Sequence, residues 1–468
     1  MKIALLTPYD GGNLGDAAIL DALTGNLRQY DPQVHLCGIT LYPERTAARH
    51  SIPCYPLAAI SRPYYHATTA PAAAPNNRAA TSHIRKNAEK PGFLARLKRA
   101  IRGLLFRMGL GPLVRLAQES VHIFRSYRLL RTVDMLVVAG GGQLDDEWGG
   151  SWAHPYALMK WAVLARAAGG SVIFLSVGGC RAELRLTRLF LRIALSFACY
   201  RSYRDEGSRQ LALAIARSAD GPVVPDLAFS LPIPRQPQRA DSDSAQLRVG
   251  VSPIAFARPG MWPTEDGAQY HRYMNELAFF ATALLKRGIS VTLFSSCPPD
   301  DQLFEDLRAR VDSRVEAAAR TNLLFGNAAS VQDLLSLLHS LDFIVASRLH
   351  GLILSFLAGK PCVALSYDRK IDALMTDVGL TDYCLDIRSF TGEIVLTKFL
   401  DLQTKGLKVV SKISVTNCHY DQILQTQYRR LAGLRGSGFS TSTSTSHRAV
   451  VASDERVSEP RTNARPHV

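Results

Sequence analysis

Short β-leaning apolar runs, each ending in glycine or polar residues and each leading into a helix-length segment, most limit what this chain can fold into. Lys2 to Thr7 is the first run; a glycine loop follows, and Asp16 to Leu27 carries Ile19, Leu20 and Leu23 at helical spacing. Val34 to Ile39 is the next strand. After Asp134 the pattern resumes with MLVVAGGG, SVIFLSVGG and YRSYRDEGSRQL, and LRVGVSP, GISVTLFSS, LDFIVASRLH and PCVALSY repeat it in the second half. Strands separated by helices of this length return as parallel neighbours, because a parallel pair needs a long crossover. The fold class expected is therefore α/β, with two Rossmann-like parallel-sheet domains.

Length supports two cores plus extensions, since 468 residues exceed what one hydrophobic core usually organises. The expected division is an N-terminal domain over 1–232, a Pro/Arg/Gln/Ser-rich linker over 233–246, and a C-terminal domain over 247–435. A Ser/Thr-rich tail over 436–468 reads as disordered. The first domain carries an insertion at about 66–131. Its first part, to Lys90, is Ala, Pro, Asn and Thr without periodicity and reads as disordered; Phe93 to Arg131 is amphipathic and basic, with a break near Gly109 to Pro112.

The net charge of +15 is concentrated there. Between Arg85 and Arg131 stand twelve Lys or Arg residues against Glu89 and Glu119, a local excess of +10. No stretch approaches the roughly 20 apolar residues of a membrane span, and the apolar start is too short for a signal-peptide core. The eight cysteines are scattered without a CxxC pair, so reduced thiols in a cytoplasmic setting are expected and no zinc site is read.

Five turns carry polar groups at strand ends, where ligands bind in open α/β sheets. The first is Gly12, Asn13, Leu14, Gly15 and Asp16, where glycines allow close backbone approach and free N–H groups favour an anion. It has neither GxGxxG spacing nor a P-loop ending, and Asp16 either caps the helix or binds a substrate hydroxyl. The second is Gly140, Gly141, Gly142 and Gln143. The acids after it, Asp145 to Glu147, read as a solvated or sugar-contacting turn ahead of a metal site. The third places Arg204 where a guanidinium can fork onto phosphate or carboxylate, or simply pair with Asp205. The fourth is Ser347-Arg348-Leu349-His350-Gly351, with His350 at a helix start, suited to anion contact or proton transfer. The fifth sets Tyr367 and Lys370 toward the same cleft, with a surface lysine as the plain alternative.

Taken in order, GNLGD, VAGGGQ, VGG, YRDEGS, VPDLAFSL, SRLHG and PCVALSYDRKIDALMTDVGL resemble the polysaccharide pyruvyl transferase family, over roughly residues 2–60 and 132–380. The resemblance implies a GT-B-like arrangement of the two domains, with the active site in the interdomain cleft. It implies transfer of the pyruvyl group of phosphoenolpyruvate onto two sugar hydroxyls as a cyclic ketal, in surface or exopolysaccharide biosynthesis. Its RLH motif falls on Arg348, Leu349 and His350, its RDxxS arginine on Arg204, its GNxGD loop on Gly12 to Asp16, and its YxxK pair on Tyr367 and Lys370. The catalytic residues expected are thus His350, Arg348 and Arg204. The remaining motif residues, from Gly12 through Gly140–Gln143 to Lys370, are expected to bind substrate. The chain departs from the family in its basic insertion, its tail, and the SVGGCRAE stretch where a Gly-Pro-type loop is commoner, which leaves a role for Gly178, Gly179 and Arg181 open.

The chemistry so implied calls for no metal and no cofactor beyond phosphoenolpyruvate as donor; the partners implied are a sugar, oligosaccharide or lipid-linked saccharide. A nucleotide-sugar-dependent GT-B glycosyltransferase and a catalytically silent carbohydrate-binding protein stay open as alternatives. For 93–131 two readings compete: a helix on the anionic inner face of the membrane, or a basic cover packed on the first domain. Nucleic acid is not expected, since aromatics are not interleaved with the charges.

Overall fold

The computed structural model describes residues 1–9, 11–59, 111–146, 149–233 and 246–433. The expectations for residues 66–110, for most of the linker, for Glu147 and for the tail fall outside these. Six strands form the first sheet: β1 (Lys2–Leu6), β2 (His35–Thr40), β3 (Cys54–Pro56), β4 (Met135–Ala139), β5 (Ser171–Val177) and β6 (Tyr200–Tyr203). Six more form the second: β7 (Arg248–Ser252), β8 (Ser290–Phe294), β9 (Leu323–Gly326), β10 (Phe343–Ala346), β11 (Cys362–Ser366) and β12 (Cys384–Asp386). The orders are β3-β2-β1-β4-β5-β6 and β12-β11-β10-β7-β8-β9, one topology used twice, and every pairing is parallel.

That order reverses direction between β1 and β4, where Leu5 lies beside Val137, and between β7 and β10, where Val251 lies beside Val345. Connections leave the two central strands toward opposite edges, so a crevice opens at their carboxyl ends. Helices cover both faces, which is why β4 and β11 are buried along their whole length. Along β1, Ile3 and Leu5 join one core while Ala4 and Leu6 join another around Trp161 on the opposite face. The first of these cores runs on into the second half, through Leu14, Leu227 and Leu352.

The last helix, Gly406–Gly433, ties the halves together. Gln427 accepts from Ser202 Oγ at 2.5 Å and donates to Ser176 Oγ at 3.2 Å, and Tyr428 and Ser230 share a hydroxyl contact at 3.0 Å. Ser176 has φ of 46°, a left-handed conformation at a register shift in β5 that re-aims the chain just before Gly178. The glutamine amide thus satisfies buried hydroxyls beside the loop that borders the site.

Helix Gly111–Leu130 is the described part of the basic insertion. Its inner face is pinned by polar contacts: Lys160 Nζ donates to Glu119 at 2.8 Å, and His122 Nε2 lies 3.0 Å from the carbonyl of Pro56. Its outer face exposes Leu113, Leu116, Val121 and Phe124, each at least half accessible. No helix among the described residues is long and apolar enough to cross a membrane.

Candidate functional site

Two helix starts meet where the sheets face each other. Helix Leu14–Tyr30 follows β1 and is capped by Asn13, whose Oδ1 accepts from Gly15 N at 2.8 Å and whose Nδ2 donates to Asp16 at 3.1 Å. Asn13, not Asp16, is the cap residue; Asp16 lies in the first turn and accepts from the Asn13 amide. Helix Leu349–Leu357 follows β10 and has Arg348 at its N-cap position without a side-chain capping bond. The two starts touch: a methyl added at Gly15 would lie 2.3 Å from Nδ1 of His350. Glycine is required at 15 for that approach. Leu14 N also donates to the carbonyl of Ser296, across the cleft, at 2.8 Å.

His350 Nε2 faces Asp226 Oδ2 at 3.7 Å, too long for a hydrogen bond, and this buried nitrogen has no such partner among the described residues. The same Asp226 oxygen lies 3.5 Å from Nη1 of Arg204, while Oδ1 caps the short turn Leu227–Ser230 through Ala228 N at 3.0 Å. Burial alone would push the Asp226 carboxyl up; His350 and Arg204 outweigh it and hold it below its ordinary value. Arg204, at the end of β6, is 8% exposed and also meets Asp205 at 3.4 Å. Asp205 in turn caps helix Glu206–Ile215 through Ser208 N at 2.7 Å. A side chain at Gly178 would strike the guanidinium at 2.5 Å. Arg204, Asp226 and His350 thus form one line of polar side chains from the first sheet to the second.

The other motif residues are placed more variously. Gly140 and Gly141 have φ of 44° and 67°, and Gly141 O accepts from Gly178 N at 2.7 Å, so the two glycine turns stack side by side. Gly142 bridges to Gly178, and Gly12 is partly exposed in the first turn. Gln143 is 1% exposed and does not face the cleft: its amide donates to Gly140 O at 2.6 Å and accepts from His154 at 2.6 Å. Burial drives the His154 ring down to about 3, so it is neutral and serves as a donor. Gln143 shapes the loop from inside, which corrects its reading as a ligand contact. Leu349 is likewise a core residue, 6% exposed.

Arg348 makes a two-pronged pair with Asp300, at 2.6 and 3.0 Å, and Asp300 is fully buried. Fork-to-carboxylate geometry fixes the guanidinium, so Arg348 braces the turn that presents His350. Lys370 lies 3.2 Å from Asp368 and 5.2 Å from the Tyr367 ring. Asp368 caps helix Arg369–Asp377 and accepts a thiol bond from Cys180 of the first half at 3.3 Å. Burial pushes the Cys180 thiol up to about 12, so it stays protonated as that donor. Tyr367, Asp368 and Cys180 border an open pocket of about 1000 Å³ between the halves. Among the described residues no group of three His, Cys, Asp or Glu is placed to hold a metal ion. Asp226, Asp300 and Asp368 were not singled out from sequence. Asp226 sits in VPDLAFSL, where an Asp before a tight apolar turn was the available signal; Asp300 lies 48 residues from its arginine and gave none.

The two parallel sheets form two Rossmann-like domains in a GT-B-like arrangement, with polar strand ends converging between them. The profile of the polysaccharide pyruvyl transferase family matches residues 13–369, and the chain belongs to that family. No curated protein sequence matches it. Among solved structures, Staphylococcus aureus MnaA with UDP aligns at a TM-score of 0.54 and 10% identity, over 93% of this chain and 96% of that one. A putative UDP-N-acetylglucosamine 2-epimerase from Listeria monocytogenes aligns at 0.54 and 8%, over 93% and 96%. Anabaena HepE, in complex with UDP and glucose, aligns at 0.51 and 13%, over 93% and 99%. At such identities these likenesses speak to fold alone.

Proposed function

We propose that this enzyme transfers the pyruvyl group of phosphoenolpyruvate to a pair of saccharide hydroxyls as a ketal. The observation that carries the reading is His350, wedged against the start of a second helix with Asp226 behind its Nε2 and Arg204 on the same carboxylate. The donor is a small polyanion. Two helix starts carry partial positive charge, and Arg204 offsets the neighbouring Asp205 and Asp226 carboxylates. In the reaction His350 protonates the methylene carbon, which makes the adjacent carbon electrophilic. One sugar oxygen bonds to that carbon, the carbon–oxygen bond to phosphate breaks, and a neighbouring hydroxyl closes the ring. Of the two hydroxyl protons released, one restores His350 and one leaves with the phosphate. Offering labelled phosphoenolpyruvate with an acceptor panel should give phosphate release only when a saccharide is present. Turnover of a nucleotide sugar instead would replace this reading with a glycosyltransferase.

The acceptor in such chemistry is a sugar, oligosaccharide or lipid-linked saccharide, and the exposed face of helix Gly111–Leu130 suits the last. Leu113, Leu116 and Phe124 are each about 60% exposed, with Arg125 and Arg128 on the same helix and Trp152 at 70% nearby in the first half. Apolar side chains of this kind enter the headgroup region, while each arginine adds about 1 kcal/mol on an anionic surface. We expect the protein to co-sediment with phosphatidylserine vesicles at low salt and to detach at high salt. Phe124→Glu should weaken binding, and failure of the wild type to bind at low salt removes a location on the inner membrane face.

A further inference from the structure

The pocket of about 1000 Å³ beside the His350 relay is far larger than a three-carbon donor needs, and its walls are of a different kind. Phe256, Trp262 and Tyr367 line one side, with Trp262 edge-on to both neighbours at centroid distances of 5.6 and 5.3 Å. Arg388 is spent on building this wall: its guanidinium stacks over Phe256 at 5.7 Å and donates to the carbonyl of Tyr367 at 3.3 Å. It also meets Asp386 at 3.5 Å. The lining has four aspartates and three arginines, and Lys370 lies 3.2 Å from Asp368, so the charges balance and favour neither an anion nor a cation.

We infer that this pocket is the acceptor subsite and that its ligand is an uncharged pyranoside, laid against the Trp262–Tyr367 wall with its hydroxyl edge toward Asp368 and Lys370. The inference rests on the saccharide-acceptor reading above. Aromatic faces carry partial negative charge and match the C–H face of a sugar ring, while ionised carboxylates accept from hydroxyls. The inner end of the pocket is set by Cys180, which bonds Asp368 across the cleft, and the charge of Arg204 acts on both Cys180 and Lys370. A hydroxyl held by Asp368 therefore faces the donor end of the same cleft. The loop bearing Trp262 is pre-formed: Ala257 adopts φ of 56°, and its carbonyl accepts from Asp266 N at 2.9 Å.

The test is saturation-transfer NMR on the full chain, with methyl β-galactoside, methyl β-glucoside and methyl α-mannoside as probes and UMP as a competing arm. Ring protons of at least one glycoside should saturate in the wild type. Trp262→Ala should weaken that glycoside about 10-fold or more, as expected when an aromatic contact surface is removed. Trp262→Leu, which keeps an apolar side chain, should lose it too, while heat released on binding phosphoenolpyruvate stays unchanged in both variants. No signal from any glycoside, equal signals in wild type and both variants, or saturation of UMP alone would overturn the assignment. If glycosides bind at Trp262 but the protein neither binds nor turns over phosphoenolpyruvate, the pocket stands and the proposed function falls.

Discussion

Replacing His350 by alanine should lower saccharide-dependent phosphate release by about 10²- to 10⁴-fold, the range for loss of a positioned general acid. The chain should remain folded, for a structural reason. Asp226 keeps Arg204 when the imidazole is gone, so no buried carboxylate is left without a cation. The space vacated lies against Gly15, and His350 itself is 15% exposed. A single-turnover measurement with labelled phosphoenolpyruvate separates the two roles open to this residue. If His350 delivers the proton, the chemical step slows and donor affinity holds. If it only grips the phosphate, affinity falls and the chemical step at saturation recovers. A folded variant with near-normal turnover would remove His350 from the reaction.

Much of this arrangement was legible in the sequence because parallel sheets advertise themselves. Strands covered on both faces are continuous apolar runs, and β4, β5, β10 and β11 each stood out for that reason. Strand carboxyl ends then had to carry the polar groups, which brought Arg204 after β6 and Arg348 and His350 after β10 forward together. Partners contributed by turns were hidden. Asp300 lies in a Pro-Pro-Asp-Asp turn that looks like any surface acid, yet it is fully buried beneath Arg348. Gln143 failed in the opposite direction: a polar residue after three glycines looks exposed, and only the neighbouring His154 reveals that it turns inward. The last helix falls within the bounds expected for the second domain, and nothing in its own periodicity says that Gln427 inserts beside β5. Sequence patterns encode what an element does to itself; which element faces it is a tertiary fact.

Replacing Asp226 by asparagine should have the second large effect, on both stability and rate. The carboxylate is 2% exposed and Arg204 8%, so the substitution leaves a buried guanidinium with Asp205 as its remaining anionic partner. Removing one partner of a buried pair costs about 3–5 kcal/mol, and retention of Asp205 argues for the lower end. Asparagine keeps an oxygen to accept from Ala228 N, so the turn itself is preserved. The pH dependence shows whether charge is the cause. In the folded protein the Asp226 carboxyl lies below its ordinary value. Its contribution is therefore complete above the unfolded value of about 3.9 and is lost as pH falls through the lower, folded value. The stability gap between wild type and Asp226→Asn, read from unfolding midpoints, should be widest near neutrality and should close in acid below about pH 4. A gap that stays constant across that window would mean that packing, not the anion, makes Asp226 necessary. Turnover should fall in parallel at neutral pH, because the same carboxylate aligns Arg204 on one side and His350 on the other. A variant with wild-type turnover would show that Arg204 and His350 do not need a common anchor.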